Sequence, residues 1–189
     1  AVGAALGLRT QGSPGVAVAF FGDGAANTGA VHEALNLAAS TRAPVVFACE
    51  VNGFAETTST RDTTAGTVAE RAAAYGIPAA ALDGCDVHAV AEAAGLAFEH
   101  VRAGRGPALL ELKVFRAGGH WVGDTEHYRD QADRDRFAEH DPVARLLAGG
   151  PVDGEAEIRA RVEARLDAVF ADVFARERPA TWQLPVVAP

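Results

Sequence analysis

Apolar positions in this chain follow two rhythms. Unbroken apolar runs occupy residues 16–21 and 44–49, and a third, over 108–115, is carried by Leu109, Leu110, Leu112, Val114 and Phe115. Runs of this length between turn residues fit strands buried on both faces of a parallel sheet. Residues 79–82 form a shorter candidate strand. Between the runs the period becomes helical. Val31, Ala34, Leu35 and Ala38 share one face, and His32, Glu33, Asn36 and Ser40 the other. Asn27 or Thr28 stands where the cap of that helix is expected. Residues 2–8 and 68–75 also predict helices, the second stopped by Gly76 and Pro78. Residues 86–102 predict a longer one, anchored by Val87, Val90, Ala94, Leu96 and Val101 and closed by Gly104 and Gly106. Residues 57–66 are Thr-rich and polar, a loop. Residues 118–141, glycine-rich and then charged, predict a long surface loop, a kind that is usually functional when ordered. Residues 155–178 predict an amphipathic helix with Ile158, Val162, Leu166, Val169, Phe170, Val173 and Phe174 in one stripe.

Four strands separated by helices predict an α/β fold: a doubly wound, mostly parallel sheet with helices on both faces. It is expected to span residues 1–147, with a helical extension over 148–189. Of the 189 residues, 49% are hydrophobic, enough for a substantial core. A net charge of −8 with a single lysine argues against nucleic acid, which needs clustered cations. No apolar run approaches the ~18 residues of a membrane span. Cys49 and Cys85 share no motif spacing, which implies a reducing, cytoplasmic setting without a disulfide framework. Ala1 enters directly into a helical run with no initiator Met. The expectation is therefore the carboxyl-terminal part of a longer chain.

The candidate chemistry lies where the first two strands end. Gly22-Asp23-Gly24 follows the first run, and Val51-Asn52-Gly53 follows the second. Both fall at the carboxyl ends of parallel strands, where open α/β sheets bind ligands. Glycines after a strand suit a dinucleotide turn, with Glu50 as a ribose-binding acid. Asn27, however, replaces the third glycine of that pattern. A carboxylate inside the turn, at ~4 Å from a diphosphate, repels it by roughly 4 kcal/mol at an intermediate effective dielectric. A divalent cation converts that repulsion into a tether. Mg²⁺ takes oxygen ligands, commonly one or two from protein and the rest from phosphates and water. Asp23, the amide oxygen of Asn52 and a loop carbonyl near Phe54 could supply the protein's share. Asp-Gly and Asn-Gly are also ordinary turn sequences, so spacing alone leaves both chemistries and simple turns open. Glu50 otherwise suggests an ion pair with a nearby arginine.

The wider string GDGAANTGAVHEALNLAASTRAPVVFACEVNGFAETT resembles the alpha subunits of thiamine diphosphate-dependent 2-oxo acid dehydrogenases, of the pyruvate, branched-chain and acetoin types. The resemblance continues through Arg71-Ala72-Ala73-Ala74-Tyr75-Gly76-Ile77-Pro78, Leu82-Asp83-Gly84, Gly106-Pro107 and Gly119-His120-Trp121-Val122-Gly123-Asp124 to Asp141-Pro142. It implies a thiamine diphosphate-binding fold and Mg²⁺ held by Asp23, Asn52 and the carbonyl of Phe54. It places Gly22, Gly24 and Ala25 at the diphosphate, and His120 in contact with the diphosphate near the reactive carbon, as a cofactor-binding and catalytic candidate. It also implies a beta subunit that supplies the activating glutamate, a lipoyl-bearing acyltransferase that takes the acyl group, and a small 2-oxo acid or acetoin as substrate. Activity is then expected only with the beta subunit, in a heterotetramer. The chain departs from the family pattern at Val51, where a first asparagine is usual, and at Gly118, where many members have histidine. Trp121 stands where mitochondrial members carry a phosphorylated serine, so kinase control there is not expected. Asp124, Tyr128 and Arg129 are expected either to order the loop or to meet a partner. The histidines other than His120 are expected on the surface.

Overall fold

Four apolar runs become the strands β1 (Ala17–Gly22), β2 (Val45–Val51), β5 (Ala79–Asp83) and β6 (Ala108–Lys113) of one sheet. Its order is β1-β2-β6-β5, and every neighbouring pair is parallel. The computed structural model describes residues 1–176. α3 (Gly29–Thr41) connects β1 to β2, α4 (Val68–Ala74) carries the chain on to β5, and α5 (Val87–Arg102) brings it back to β6. Right-handed crossovers that reverse direction along a sheet must pass over its opposite face. The core divides accordingly. On one face Val45, Phe47 and Cys49 of β2 and Leu109 of β6 pack with Leu35 and Ala38 of α3 and Val68 and Ala72 of α4. α1 (Val2–Thr10) adds Val2 and Ala5 to this face. On the other, Val46, Ala48, Leu110 and Leu112 pack with Ala97 and Val101 of α5. β2 and β6 are covered on both sides, which is why residues 45–49 and 108–110 read as apolar runs. The doubly wound α/β expectation is met.

The helices start where backbone donors find acceptors. Thr67 and Glu70 form a reciprocal capping box at α4, and the Asp86 carboxylate accepts the N–H groups of His88 and Ala89 at α5. Glu111, from β6, accepts the Ala69 N–H at 2.7 Å and so fixes the start of α4 to the sheet. The expected cap on α3 is absent. The Thr28 hydroxyl donates back to the Ala25 carbonyl, and the Asn27 side chain is engaged elsewhere.

Two further expectations are corrected. The segment 57–66 carries β4 (Thr58–Ser59), paired antiparallel with β3 (Phe54–Ala55), and a short 3-10 turn over Thr60–Asp62. The segment 118–141 is not loop throughout: Gln131–His140 is a helix, α6, followed by α7 (Pro142–Ala148). α6 escaped the hydrophobic pattern because it has no buried residue. Asp130 caps it, and the Gln131–Asp135 and Arg136–Asp133 contacts line its surface. Among the histidines, His32 contacts the Tyr75 hydroxyl at 3.3 Å, and the His140 ring lies 4.5 Å from that of Phe115.

The chain divides into two compact units, Ala1–Leu146 and a second beginning at Leu147. The second carries α8 (Glu155–Ala175). Its expected apolar stripe is exposed, with Phe170 and Phe174 stacked on each other. The expected end of this helix at residue 178 lies outside the described residues. No helix among the described residues is long and apolar enough to cross a membrane. Both cysteines are free and buried, Cys49 in the centre of β2 and Cys85 at the turn into α5. Burial, with the nearby Asp23 and Glu111 charges, pushes the Cys49 thiol up to about 12.

Leu109 is 1% exposed, in a strand flanked on both edges. Leu109→Ala leaves a cavity there and is expected to cost about 2–5 kcal/mol in urea-induced unfolding. A loss below about 1 kcal/mol would mean that the core refills the space.

Candidate functional site

Parallel pairing sets Gly22 of β1 opposite Glu50 of β2, so the loops after both strands open at one place. From β1 the chain passes directly into α2 (Asp23–Ala26), a single turn with Asp23 at its start. Asp23 is 3% exposed. Its two carboxylate oxygens accept the N–H of Gly24 at 3.1 Å and the N–H of Gly53 at 2.7 Å. Gly53 has φ +88°, a backbone that glycine adopts without strain, and this aims its amide at the carboxylate. Asn52 Oδ1 accepts the Phe54 N–H at 3.0 Å, which folds the loop after β2. Asp23 and the Asn52 loop are thus in direct contact. Gly24 has a separate steric reason: a Cβ there would lie 2.8 Å from the Ala55 Cβ. Its missing side chain lets the β3–β4 hairpin close over the turn.

Burial pushes the Asp23 carboxyl above its ordinary value, and the backbone amides of Gly53 and Gly24 pull it back. A buried carboxylate without a cation is costly even with such amides. Among the described residues no three His, Cys, Asp or Glu side chains converge on a metal position. The donors available are one carboxylate, one amide oxygen and backbone carbonyls. That is a hard, oxygen-only set, suited to Mg²⁺ and not to a thiolate- or imidazole-seeking metal.

A cavity of about 740 Å³ opens beside these groups, lined at one end by Asp23, Asn52, Gly53 and Phe54. Arg61, Lys113, Arg116, Arg129 and Arg136 also line it, with Glu111, Asp130 and Asp133, so its wall carries charges of both signs. Gly22, Gly24 and Ala25 form the turn beside it. The structure therefore brings Asp23, Asn52 and Phe54 together. It leaves His120 outside the cavity lining, exposed on the loop after β6, with its ring edge-on to Trp121. Glu50, expected to pair with an arginine, has no ion pair among the described residues and is exposed.

The His120 loop is ordered from within. The Asp124 carboxylate accepts the His120 N–H at 2.7 Å and the Tyr128 hydroxyl at 2.6 Å. Arg116 donates to that hydroxyl and lies over the rings of both Phe54 and Tyr128, 5.7 and 5.6 Å from their centroids. The Arg129 side chain, 3% exposed, pairs with Glu126 at 2.7 Å and donates to the carbonyls of Arg116 and Gly118. Within the described residues Asp124, Tyr128 and Arg129 order the loop. The sequence analysis missed Arg116 and Arg71. Arg71 projects from α4 and donates to the Ala26 carbonyl and Asn27 Oδ1, both at 2.9 Å, and to the Ala65 carbonyl at 3.1 Å. Its signal was its place in the quoted string before Tyr75-Gly76. Its contacts to Ala26 and Asn27, 45 and 44 residues away in sequence, have no local pattern.

The family model described as "Dehydrogenase E1 component" matches residues 1–165. The chain belongs to that family. It is 41% identical over 148 residues to the alpha subunit of the pyruvate dehydrogenase E1 component of Rhizobium meliloti, covering 77% of this chain and 42% of that protein. It is 42% identical over 177 residues to the alpha subunit of an acetoin:2,6-dichlorophenolindophenol oxidoreductase of Cupriavidus necator, covering 92% of this chain and 51% of the relative. Against the 3-methyl-2-oxobutanoate dehydrogenase alpha subunit of Mycobacterium tuberculosis it is 42% identical over 147 residues, covering 77% and 40%. The chain thus spans about half or less of the length of these relatives. The resemblance to alpha subunits of the pyruvate, branched-chain and acetoin types holds.

The hydrogen bond from Tyr128 holds the Asp124 carboxyl at about 2, with the Glu126 and His120 amides helping. A carboxyl depressed in the folded state supports the loop fully above its unfolded value near 3.8 and loses that support as pH falls towards 2. Carboxyl-carbon NMR titration is expected to place the Asp124 midpoint near 2 in the native protein and higher in Tyr128→Phe. A native midpoint near 4 would show that the brace is not formed.

Proposed function

We propose that this chain is the metal- and diphosphate-binding part of an E1 alpha subunit, which in the complete enzyme serves the oxidative decarboxylation of a small 2-oxo acid. The observation that carries this is the direct contact of a buried carboxylate, Asp23, with the Asn52–Phe54 loop at a cavity that both line, in a chain of the E1 family. Asp23, Asn52 Oδ1 and the Phe54 carbonyl would hold Mg²⁺, and Gly22, Gly24 and Ala25 would face the diphosphate. Thiamine diphosphate, when bound, supplies the nucleophilic carbon and the electron sink for decarboxylation.

The residues of this chain bind and orient. Asp23 supplies the negative charge that a diphosphate-bound cation needs, and its burial keeps that charge from competing water. The hydrogen bonds from Gly24 and Gly53 fix the carboxylate orientation before any ligand arrives, which lowers the cost of ordering on binding. Asn52 does the same for the neutral oxygen through Phe54. His120 stands on a braced loop and would reach the reacting end of the cofactor from outside the present cavity lining. The Tyr128–Asp124–Arg116 contacts restrict its range. A beta subunit would supply the acid–base group for the cofactor, and a lipoyl-bearing acyltransferase would receive the acyl group. Two free, buried cysteines support a reducing, cytoplasmic setting.

The alternative substrate is acetoin, because relatives of the acetoin type match this chain as well as those of the pyruvate type do. Comparing turnover of pyruvate, 3-methyl-2-oxobutanoate and acetoin by the assembled enzyme separates the two.

In the full-length alpha subunit assembled with its beta partner, Asp23→Ala is expected to weaken Mg²⁺-dependent binding of thiamine diphosphate by roughly 100-fold or more, read by calorimetry. His120→Ala is expected to lower turnover by roughly 100-fold or more while leaving Tm within a degree or two of the parent. Unchanged cofactor affinity in the first variant would overturn the metal assignment, and a parental rate in the second would remove His120 from the chemistry.

A further inference from the structure

The Asp23 turn is held on its strand side by β1 and on its loop side by Gly53. α2 is one turn long, and its last carbonyls need partners. The Gly24 and Ala25 carbonyls accept the N–H groups of Asn27 and Thr28. The Ala26 carbonyl is met from a different element, by Arg71. One guanidinium nitrogen donates to the Ala26 carbonyl and to Asn27 Oδ1, and the other donates to the Ala65 carbonyl. The Asn27 amide nitrogen then donates to the Thr64 hydroxyl at 2.7 Å. Five residues from three segments are linked: Ala26 and Asn27 of the turn after β1, Arg71 of the helix α4, and Thr64 and Ala65 of the segment 60–67, whose Thr60, Arg61, Thr64, Gly66 and Thr67 line the cavity. α4 is itself anchored, through the Ala69 N–H on Glu111 of β6 and through Val68 and Ala72 in the core. Arg71 therefore stands on an anchored base and reaches two segments outside its own helix. A planar fork of donors suits this task, and a lysine ammonium serves it less well.

We propose that Arg71 is a positioning residue for the cofactor turn: it ties the end of the Asp23 turn to the 60–67 wall, so that the metal-binding carboxylate and one side of the cavity are set in place together. It touches neither metal nor diphosphate. Its effect passes through Ala26, Asn27 and Ala65. The proposal rests on the functional assignment above. It differs from a general packing role, because the guanidinium makes its three contacts to groups at the site and none to the sheet.

The test uses the full-length alpha subunit assembled with its beta partner, as parent, Arg71→Gln and Arg71→Lys. Without cofactor, backbone hydrogen exchange in Arg71→Gln is expected to rise in residues 24–28 and 60–67 while β2 and β6 keep their protection. Calorimetric titration with thiamine diphosphate and Mg²⁺ is expected to show roughly tenfold weaker binding in Arg71→Gln, on the scale of losing an outer partner of a ligating group. The rate at saturating cofactor should fall less than threefold, and Arg71→Lys should recover part of the affinity. Equal cofactor affinity in parent and Arg71→Gln overturns the proposal. So does exchange that rises uniformly through the sheet, which would mark Arg71 as a stability residue alone. If the parent itself fails to bind thiamine diphosphate with Mg²⁺, the functional assignment falls, and the positioning role with it. That outcome is distinct because it does not depend on the residue at 71.

Discussion

Everything at this site depends on one buried carboxylate being met by two backbone amides. Asp23 leaves the end of one strand, and the amide of Gly53 reaches it from the end of the next. That single contact joins two loops which the sheet merely brings near each other. It also sets the electrostatic character of the cavity mouth. Burial disfavours the charge, the amides favour it, and the balance leaves a carboxylate best satisfied by a further positive partner. The glycines around it follow from the same contact. Gly53 is needed for its backbone angle and Gly24 for the space beneath the hairpin. Either substitution would move the oxygen atoms without touching Asp23.

The order of the strands matters as much as their chemistry. β1 and β2 are adjacent, so a turn after one and a loop after the other share a single opening. β6 lies on the other side of β2, and the chain that follows it, from Arg116 onwards, returns towards the same end of the sheet. Arg116 marks the place of return. Its guanidinium lies over Phe54, from the loop after β2, and over Tyr128, from the loop after β6. The two loops are therefore in contact through an aromatic pair and a cation above it. Arg129 fastens the second loop to its own base with a side chain almost wholly removed from water. The Asp83–Arg145 pair, in contrast, joins two exposed groups and contributes little to this arrangement.

Much of this was legible in the sequence because the relevant physics is local. A strand buried on both faces is apolar along its covered length, as residues 45–49 of β2 and 108–110 of β6 are. A turn holding Gly-Asp-Gly after such a strand advertises both close backbone approach and an acid. Asn52 was legible for the same reason, one strand later. What was not legible has no short-range signature. α6 is held by a cap and surface contacts and buries nothing, so its apolar period is absent. The β3–β4 hairpin is two residues long on each side. Asn27 suggested a helix cap, but its side chain is taken by Arg71 and Thr64, both remote in sequence. A tertiary bond outcompeted a local one. His120 was found from the resemblance and not from any pattern of its own, and its surroundings are a loop whose order comes from three side chains behind it.

The two cysteines give the fold a built-in depth gauge. Cys49 lies in the middle of β2 with no exposed surface and a thiol that scarcely ionises at neutral pH. Only rupture of the sheet would deliver it to an alkylating reagent as a reactive thiolate. Cys85 sits at the hinge between β5 and α5, where loosening of one helix end suffices. Labelling of the two sulfurs would therefore run on separate clocks, one timing the loss of the whole body and the other the fraying of its rim.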